Sequence, residues 1–138
     1  MENLESDAEV IDIKRGDKFI REHHTPEFLK KWDGLSNELE IDDDDLNDLS
    51  PMMKVYWEKK SKCMNSVMFV QIGSMDFLCF EKDAMIVHEL FKRALRKFSI
   101  FLMCSFWKTE MEMVKLDLFE RNIPVAMMTE IDDEDYKE

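Results

Sequence analysis

Apolar positions recur along the chain at two different periods, and the changes of period mark out its elements. Ser50-Pro51 is a helix start, because serine caps well and proline fits the first helical position; Met52, Val55 and Tyr56 then share one face. Ser66 to Ile72, reading SVMFVQI, is rich in apolar and β-branched residues and stops at Gly73, which predicts a buried strand. A second short strand is expected over Phe77 to Phe80. Asp83 is then placed to cap a helix running to about Phe98, since Val87, Leu90, Phe91, Ala94, Leu95 and Phe98 recur at helical spacing. Lys92, Arg93, Arg96 and Lys97 fall mainly on its other side and in its last turns, where the helix dipole favours cations. Ser99 to Cys104 reads as another buried strand. Thr109-Glu110-Met111-Glu112 forms a capping box for a helix that Asn122 closes before Pro124, and a last strand covers Val125 to Thr129. The order α-β-β-α-β-α-β argues for an α/β fold in which helices pack on a sheet.

Charge sharpens the boundaries. The formal net charge is -12, but residues 1–50 hold 6 Lys/Arg against 16 Asp/Glu, residues 51–131 hold 12 against 10, and residues 132–138 hold 1 against 5. The central part is therefore close to neutral, and the overall acidity does not exclude a nucleic-acid partner. Residues 1–49 are expected to be an acidic, mostly mobile and disordered tail or linker, with Asp42-Asp43-Asp44-Asp45 repelling itself; a short helix after Thr25-Pro26 is the exception. Residues 50–131 form the domain, and 132–138 a second acidic tail.

Three cysteines, Cys63, Cys79 and Cys104, are odd in number and widely spaced, which fits neither a closed disulfide framework nor a CxxC zinc site. The acidic N-terminus carries no secretory signal, and the apolar stretch Ser99 to Trp107 is too short to span a bilayer, so an intracellular protein off the membrane is expected. No metal site is expected. His23 and His24 lie in the tail, His88 reads as structural, and Asp42 to Asp45 lack the alternating ligands, glycine and terminal glutamate of a calcium loop. There is no GxxxxGK(S/T), GxSxG or HExxH motif, so no catalytic residues are assigned and an enzyme is not expected. Met52-Met53 and Met127-Met128 serve either as core filling or as an adaptable surface.

The stretch from Tyr56 to Gly73, YWEKKSKCMNSVMFVQIG, resembles the opening of the mismatch-recognition domain of the MutS family, and is most similar to the eukaryotic subunit that reads single mismatches. The Ser-Pro start, the aromatic pair Tyr56-Trp57, the Lys60-Ser61-Lys62 helix end and the strand running into Gly73 come in the family's order. Asp83-Ala84 matches the family's Asp-Ala at the next helix start. FERNIPVAMMTE, Phe119 to Glu130, resembles its helix end, turn and strand of the type GYKVARVEQTE. The resemblance covers Ser50 to Ile131 and implies a mixed sheet of four to five strands flanked by helices.

It also implies a function, mismatched-DNA binding in DNA mismatch repair. In the family a Phe-x-Glu element follows the glycine; its Phe wedges into the minor groove and its Glu hydrogen-bonds the mispaired base. A mismatch weakens stacking, so an apolar wedge kinks DNA there at least cost. This chain reads Gly73-Ser74-Met75-Asp76-Phe77 and is one residue longer before Asp83-Ala84. Aligned from Gly73, Met75 takes the wedge position and Phe77 the Glu position; aligned from Asp83, these are Asp76 and Leu78. Gly73, Ser74, Met75, Asp76 and Phe77 are the candidate DNA-binding residues, with Met75 a possible wedge and Phe77 either a stacking or a core residue. Arg93, Arg96 and Lys97 are candidate phosphate contacts, or a solvated helix face.

The expected partners are mismatched DNA, bound weakly by a lone domain, and another MutS-family subunit; the expected location is the nucleus. No cofactor is expected in this chain, since ATP and magnesium belong to the family's C-terminal ATPase domain, which lies beyond it, and the chain is expected to be a truncated or fragmentary product. The alternative is a degenerate MutS-like domain that binds proteins, its acidic tails the interaction element, without touching DNA. A basic surface around the Gly73 loop favours DNA; an acidic or apolar one favours protein.

Overall fold

Alternation along two adjacent strands decides the architecture. The computed structural model describes residues 28–29, 32, 36–98 and 100–131. In β1 (Val67–Ile72), Val67 and Phe69 face one side and Met68, Val70 and Ile72 the other; in β2 (Asp76–Phe80), Phe77 and Cys79 oppose Leu78 and Phe80. These strands are buried on both faces, which is why they read as continuous apolar runs. Two separate cores result, one on each side of the sheet.

The elements run α1 (Asp43–Asn47), α2 (Pro51–Lys60), β1, β2, α3 (Lys82–Phe91), β3 (Arg96–Phe98), β4 (Phe101–Trp107), α4 (Lys108–Glu120) and β5 (Val125–Ile131). The sheet order is β3-β4-β2-β1-β5, with β1 and β5 parallel and the other neighbours antiparallel. It is a mixed five-stranded sheet in an α/β fold. α3 and α4 cover the face carrying Val67, Phe69, Cys79, Leu102 and Phe106, while α2 covers the other. The crossovers β2-α3-β3 and β4-α4-β5 start from strands of opposite direction and travel opposite ways across the sheet. Both therefore have the same hand with their helices on one face, as the chirality rule requires.

Local chemistry explains most boundaries. The Ser50 side chain accepts from the Met53 N–H and Pro51 occupies the first turn of α2. α4 ends with Asn122 in the left-handed region (φ 63°), the Asn122 N–H on the Phe119 carbonyl and the Ile123 N–H on the Leu118 carbonyl. That pair of bonds is a Schellman closure, and Asn is among the few side chains that tolerate the conformation. The His88 ring meets the Arg93 carbonyl, a structural contact.

Several boundaries depart from the sequence reading, among them the end of α3, the start of α4 and β4, which covers Phe101–Trp107 and not Ser99 to Cys104. The helix expected to run to Phe98 stops at Phe91, where Lys92 turns left-handed (φ 58°), and Arg96–Phe98 becomes an edge strand. Leu95 is buried in the core under α3, whereas Phe98 packs on the opposite core beside Phe80. A helix confined to one face cannot deliver both residues. The Thr109 box is displaced: α4 starts at Lys108, and Glu110 Oε1 accepts from the Trp107 N–H at 2.8 Å.

Asp83, expected as a helix cap, instead enters a buried ion pair. Its Oδ2 lies 2.8 Å from Lys60 Nζ, with the two side chains 2% and 3% exposed, and also accepts from the Met68 N–H. Lys60 Nζ donates in addition to the Ser66, Met64 and Cys63 carbonyls. Burial pushes the Asp83 carboxyl up, against the pull of Lys60 and the Met68 N–H. The Lys-Ser-Lys helix end and the Asp-Ala start thus meet in one contact that ties α2, β1 and α3 together.

Packing also reaches N-terminally of Ser50. Leu39 is buried and its N–H bonds the Ser61 carbonyl, Asn37 bonds Met64 and Asn65, Phe28 packs edge-on against Trp57, and Lys82 lies over the Trp32 ring. Of the tail expected over 1–49, residues 1–27 with His23 and His24 lie outside the described residues, as does the acidic tail of 132–138, whereas the Asp42–Asp45 run, expected to repel itself, enters the short helix α1.

Candidate nucleic-acid interface

The β1–β2 hairpin carries the expected binding residues, and its shape follows from Gly73. Ile72 and Asp76 are Cα partners, so Gly73, Ser74 and Met75 form the turn, and Gly73 takes φ 63°, which costs a glycine little. The Met75 carbonyl accepts from the Lys108 N–H at 2.7 Å, binding the tip to the first turn of α4. That bond also consumes the Lys108 donor and fixes where the helix begins.

The structure separates the five hairpin candidates. Ser74, Met75 and Asp76 are exposed, Met75 at 44%. Phe77 is 6% exposed and belongs to the core under α3 and α4, so its role is structural. Leu78 is buried in the opposite core. Both positions that an alignment offers for the family's Glu are therefore interior, and Asp76 is the exposed carboxylate of the hairpin.

Glu81, just beyond the hairpin, does not substitute. It is buried, with φ 53°, its N–H on the Leu102 carbonyl and its Oε2 accepting from the Leu102 N–H. The side chain thereby continues the β2–β4 ladder one rung past Phe80 while the backbone turns away into α3. Burial pushes its carboxyl up to about 8.

The residue that sequence reasoning missed is Trp107. It is the Cα partner of Asp76 across the β2–β4 ladder and is 54% exposed. Directly opposed residues project from the same face of a sheet, so the indole and the Asp76 carboxylate stand side by side. A strand that ends at Cys104 places Trp107 in a loop; the apolar run that continues to Trp107 is the signal for the longer strand.

The cationic candidates do not form a helix face. Lys92 and Arg93 follow the end of α3, and Arg96 and Lys97 lie in the edge strand β3. Arg93 is ion-paired with Glu110 and sits 4.5 Å over the Phe106 ring; Arg96 is half-buried; Lys92 and Lys97 are exposed. Burial pushes the Glu110 carboxyl up, but the Arg93 hydrogen bond, the Trp107 N–H and the Arg93 charge outweigh it and hold the group below its ordinary value. Around the tip, Met75 and Trp107 give an apolar surface flanked by the carboxylates of Asp76 and Glu110, the latter paired with Arg93, and by the exposed ammonium of Lys108. The hairpin end is therefore apolar with mixed charge, and not a basic face.

Away from the hairpin, a groove of about 600 Å³ runs between the end of α2 and β5, with Trp57, Lys59, Cys63 and Met127 among its walls. Burial raises the thiols of Cys79, Cys104 and Cys63, that of Cys104 to about 12, and all three cysteines are free. Among the described residues there is no cluster of His, Cys, Asp and Glu that could hold a metal, and no helix long and apolar enough to cross a membrane.

Residues 50–138 match the sequence profile of MutS domain I, which spans well over half the chain. The chain belongs to the MutS domain I family. No curated protein matches the chain as an individual relative. As a MutS domain I, it has a mismatch-recognition domain's fold, and the match begins at Ser50, the cap of α2.

Proposed function

We propose that this MutS domain I binds DNA at a mispaired base, in mismatch repair, with the Gly73–Phe77 hairpin entering the minor groove and Met75 as the apolar wedge. The observation that carries this reading is the placement of Met75. Its thioether stands exposed at a hairpin tip fixed by Gly73 and by the Lys108 N–H, while the neighbouring aromatic, Phe77, is committed to the core. Methionine is among the side chains that intercalate from the minor groove, and insertion costs least where stacking is already weakened. Lys97, Arg96 and Arg93 supply phosphate contacts, Arg93 while still paired with Glu110. The domain itself is non-enzymatic and needs no cofactor. It acts in the nucleus, beside another MutS-family subunit that helps grip the duplex, as the resemblance to the eukaryotic mismatch-reading subunit implies.

A protein-binding role without DNA has two supporting observations: the hairpin end is apolar with mixed charge and not basic, which favours a protein partner, and a second apolar surface lies on α4. The outer face of α4 exposes Met113, Leu116 and Phe119, a stripe at helical spacing that suits an apolar partner.

Fluorescence anisotropy of the full chain with a G·T duplex and its matched twin, at two salt concentrations, separates the two. A salt-sensitive preference for the mismatch that Met75→Ala removes is the expected result. Preference surviving Met75→Ala refutes the wedge assignment. Absence of salt-sensitive binding to either duplex refutes DNA reading and leaves the protein-binding role.

A further inference from the structure

Of the three tryptophans, Trp57 is buried in the core, Trp32 is partly buried with its Nε1 on the Ser36 carbonyl, and Trp107 stands more than half exposed. Exposure of an indole is ordinary when isolated, but three features make this one a built position. Its backbone is held on both sides, the Trp107 N–H by Glu110 and the next N–H, of Lys108, by the Met75 carbonyl. Glu110 is in turn held by Arg93. Its register partner is Asp76, so the indole and the carboxylate share a sheet face at a Cβ separation of roughly 5 Å. The adjacent residue of the hairpin, Met75, is the other large exposed apolar side chain at this end of the β2–β4 ladder.

From this arrangement we infer that Trp107 is the base-stacking side chain of this domain, receiving a weakly paired base against its indole while Asp76 accepts a hydrogen bond from that base's N–H edge. The inference rests on the DNA reading proposed above and names a residue on a different strand from the hairpin wedge. Asp76 decides which part of DNA approaches. A carboxylate directly beside the indole repels phosphate, whereas it can accept from an exocyclic amino or imino group, as Asp and Glu do with cytosine N4. Lys108, exposed, is the next residue along the chain, and in this reading its ammonium meets the backbone of the same nucleotide. Aromatic stacking tolerates any base, so selectivity comes from how easily a base leaves its stack, which is cheapest at a mismatch. Met75 and Trp107 then act together, one opening the step and the other receiving the displaced base.

The test uses the full chain, a duplex with one G·T mismatch and its matched twin, and a duplex carrying 2-aminopurine in the mispaired position. Trp107→Ala is expected to weaken binding to the mismatch roughly ten-fold or more, the scale of one lost base–aromatic stack, and to leave matched-duplex binding nearly unchanged. Trp107→Phe is expected to keep most of the preference, because it keeps a stacking ring. The 2-aminopurine emission change on binding should be present with wild type and Trp107→Phe and absent with Trp107→Ala. An unchanged urea midpoint separates loss of stacking from loss of fold. If wild type prefers the mismatch and Trp107→Ala prefers it equally, or if Trp107→Ala weakens both duplexes alike, this inference falls while the DNA reading stands. No mismatch preference in wild type overturns the DNA reading and this inference with it.

Discussion

Removing the ammonium of Lys60 should destabilise the domain more than any surface substitution. Lys60 Nζ lies 2.8 Å from Asp83 Oδ2 and 2.6 Å from the Ser66 carbonyl, with two longer contacts to Met64 and Cys63. Lys60→Met keeps the apolar stem but strands the Asp83 carboxylate in a 2% exposed position and removes the donor from three carbonyls. Breaking a buried pair from one side costs about 3–5 kcal/mol, a large share of the roughly 5–15 kcal/mol that holds a domain together. Asp83→Asn should cost less, because the amide oxygen still accepts from the Met68 N–H and Lys60 keeps its three carbonyls. The pH dependence carries the sign. Without Lys60, burial drives the Asp83 carboxyl further above its unfolded value, so the unfolded chain releases its proton first as pH rises. Lys60→Met should therefore be closest to wild type below about pH 4, and lose stability as pH climbs from there through the raised value. Urea unfolding at several pH values measures both effects. A loss below about 1 kcal/mol at pH 7, or a loss independent of pH, would mean that the Lys60–Asp83 pair does not hold the domain together.

Two further outcomes follow from buried groups. Glu81, with its carboxyl up to about 8 from an ordinary 4.5, should make stability fall between those pH values, by about 1.4 kcal/mol per unit, and level off above them; Glu81→Gln, which keeps an acceptor for the Leu102 N–H, should flatten that slope in urea unfolding, and an unchanged slope contradicts the assignment. In the native protein at pH 8, a thiol reagent should modify Cys63 well before Cys79 and Cys104, which unfolding must expose; mass-mapped labelling that finds all three equally fast speaks against the two-sided burial of β2 and β4.

How far the fold could be read from the chain varies with how local the deciding interaction is. Ser50-Pro51, the SVMFVQI strand stopping at Gly73 and the Asn122 closure are fixed by groups a few residues apart, and each lies where the local pattern places it. The end of α3 is different. Leu90, Phe91, Ala94, Leu95 and Phe98 satisfy helical spacing, yet Leu95 and Phe98 are claimed by opposite cores. Nothing within the segment records that division. Asp83 likewise looks like a cap from its neighbours, and its true partner, Lys60, lies on another helix. At the candidate site, the hairpin and its exposed Met75 were legible from Gly73 and the family resemblance. Trp107 was not, because its meaning comes from a register with Asp76 set thirty-one residues away.

DNA reading by the hairpin end of this MutS domain I can be seen residue by residue in amide chemical shifts, as the full chain is titrated with a mismatched duplex and, separately, a matched one. Perturbations are expected to concentrate at Ser74 to Phe77 and Trp107 to Thr109, and to be larger with the mismatch. Perturbations confined to the outer face of α4 around Met113, Leu116 and Phe119, or none with either duplex, would contradict it.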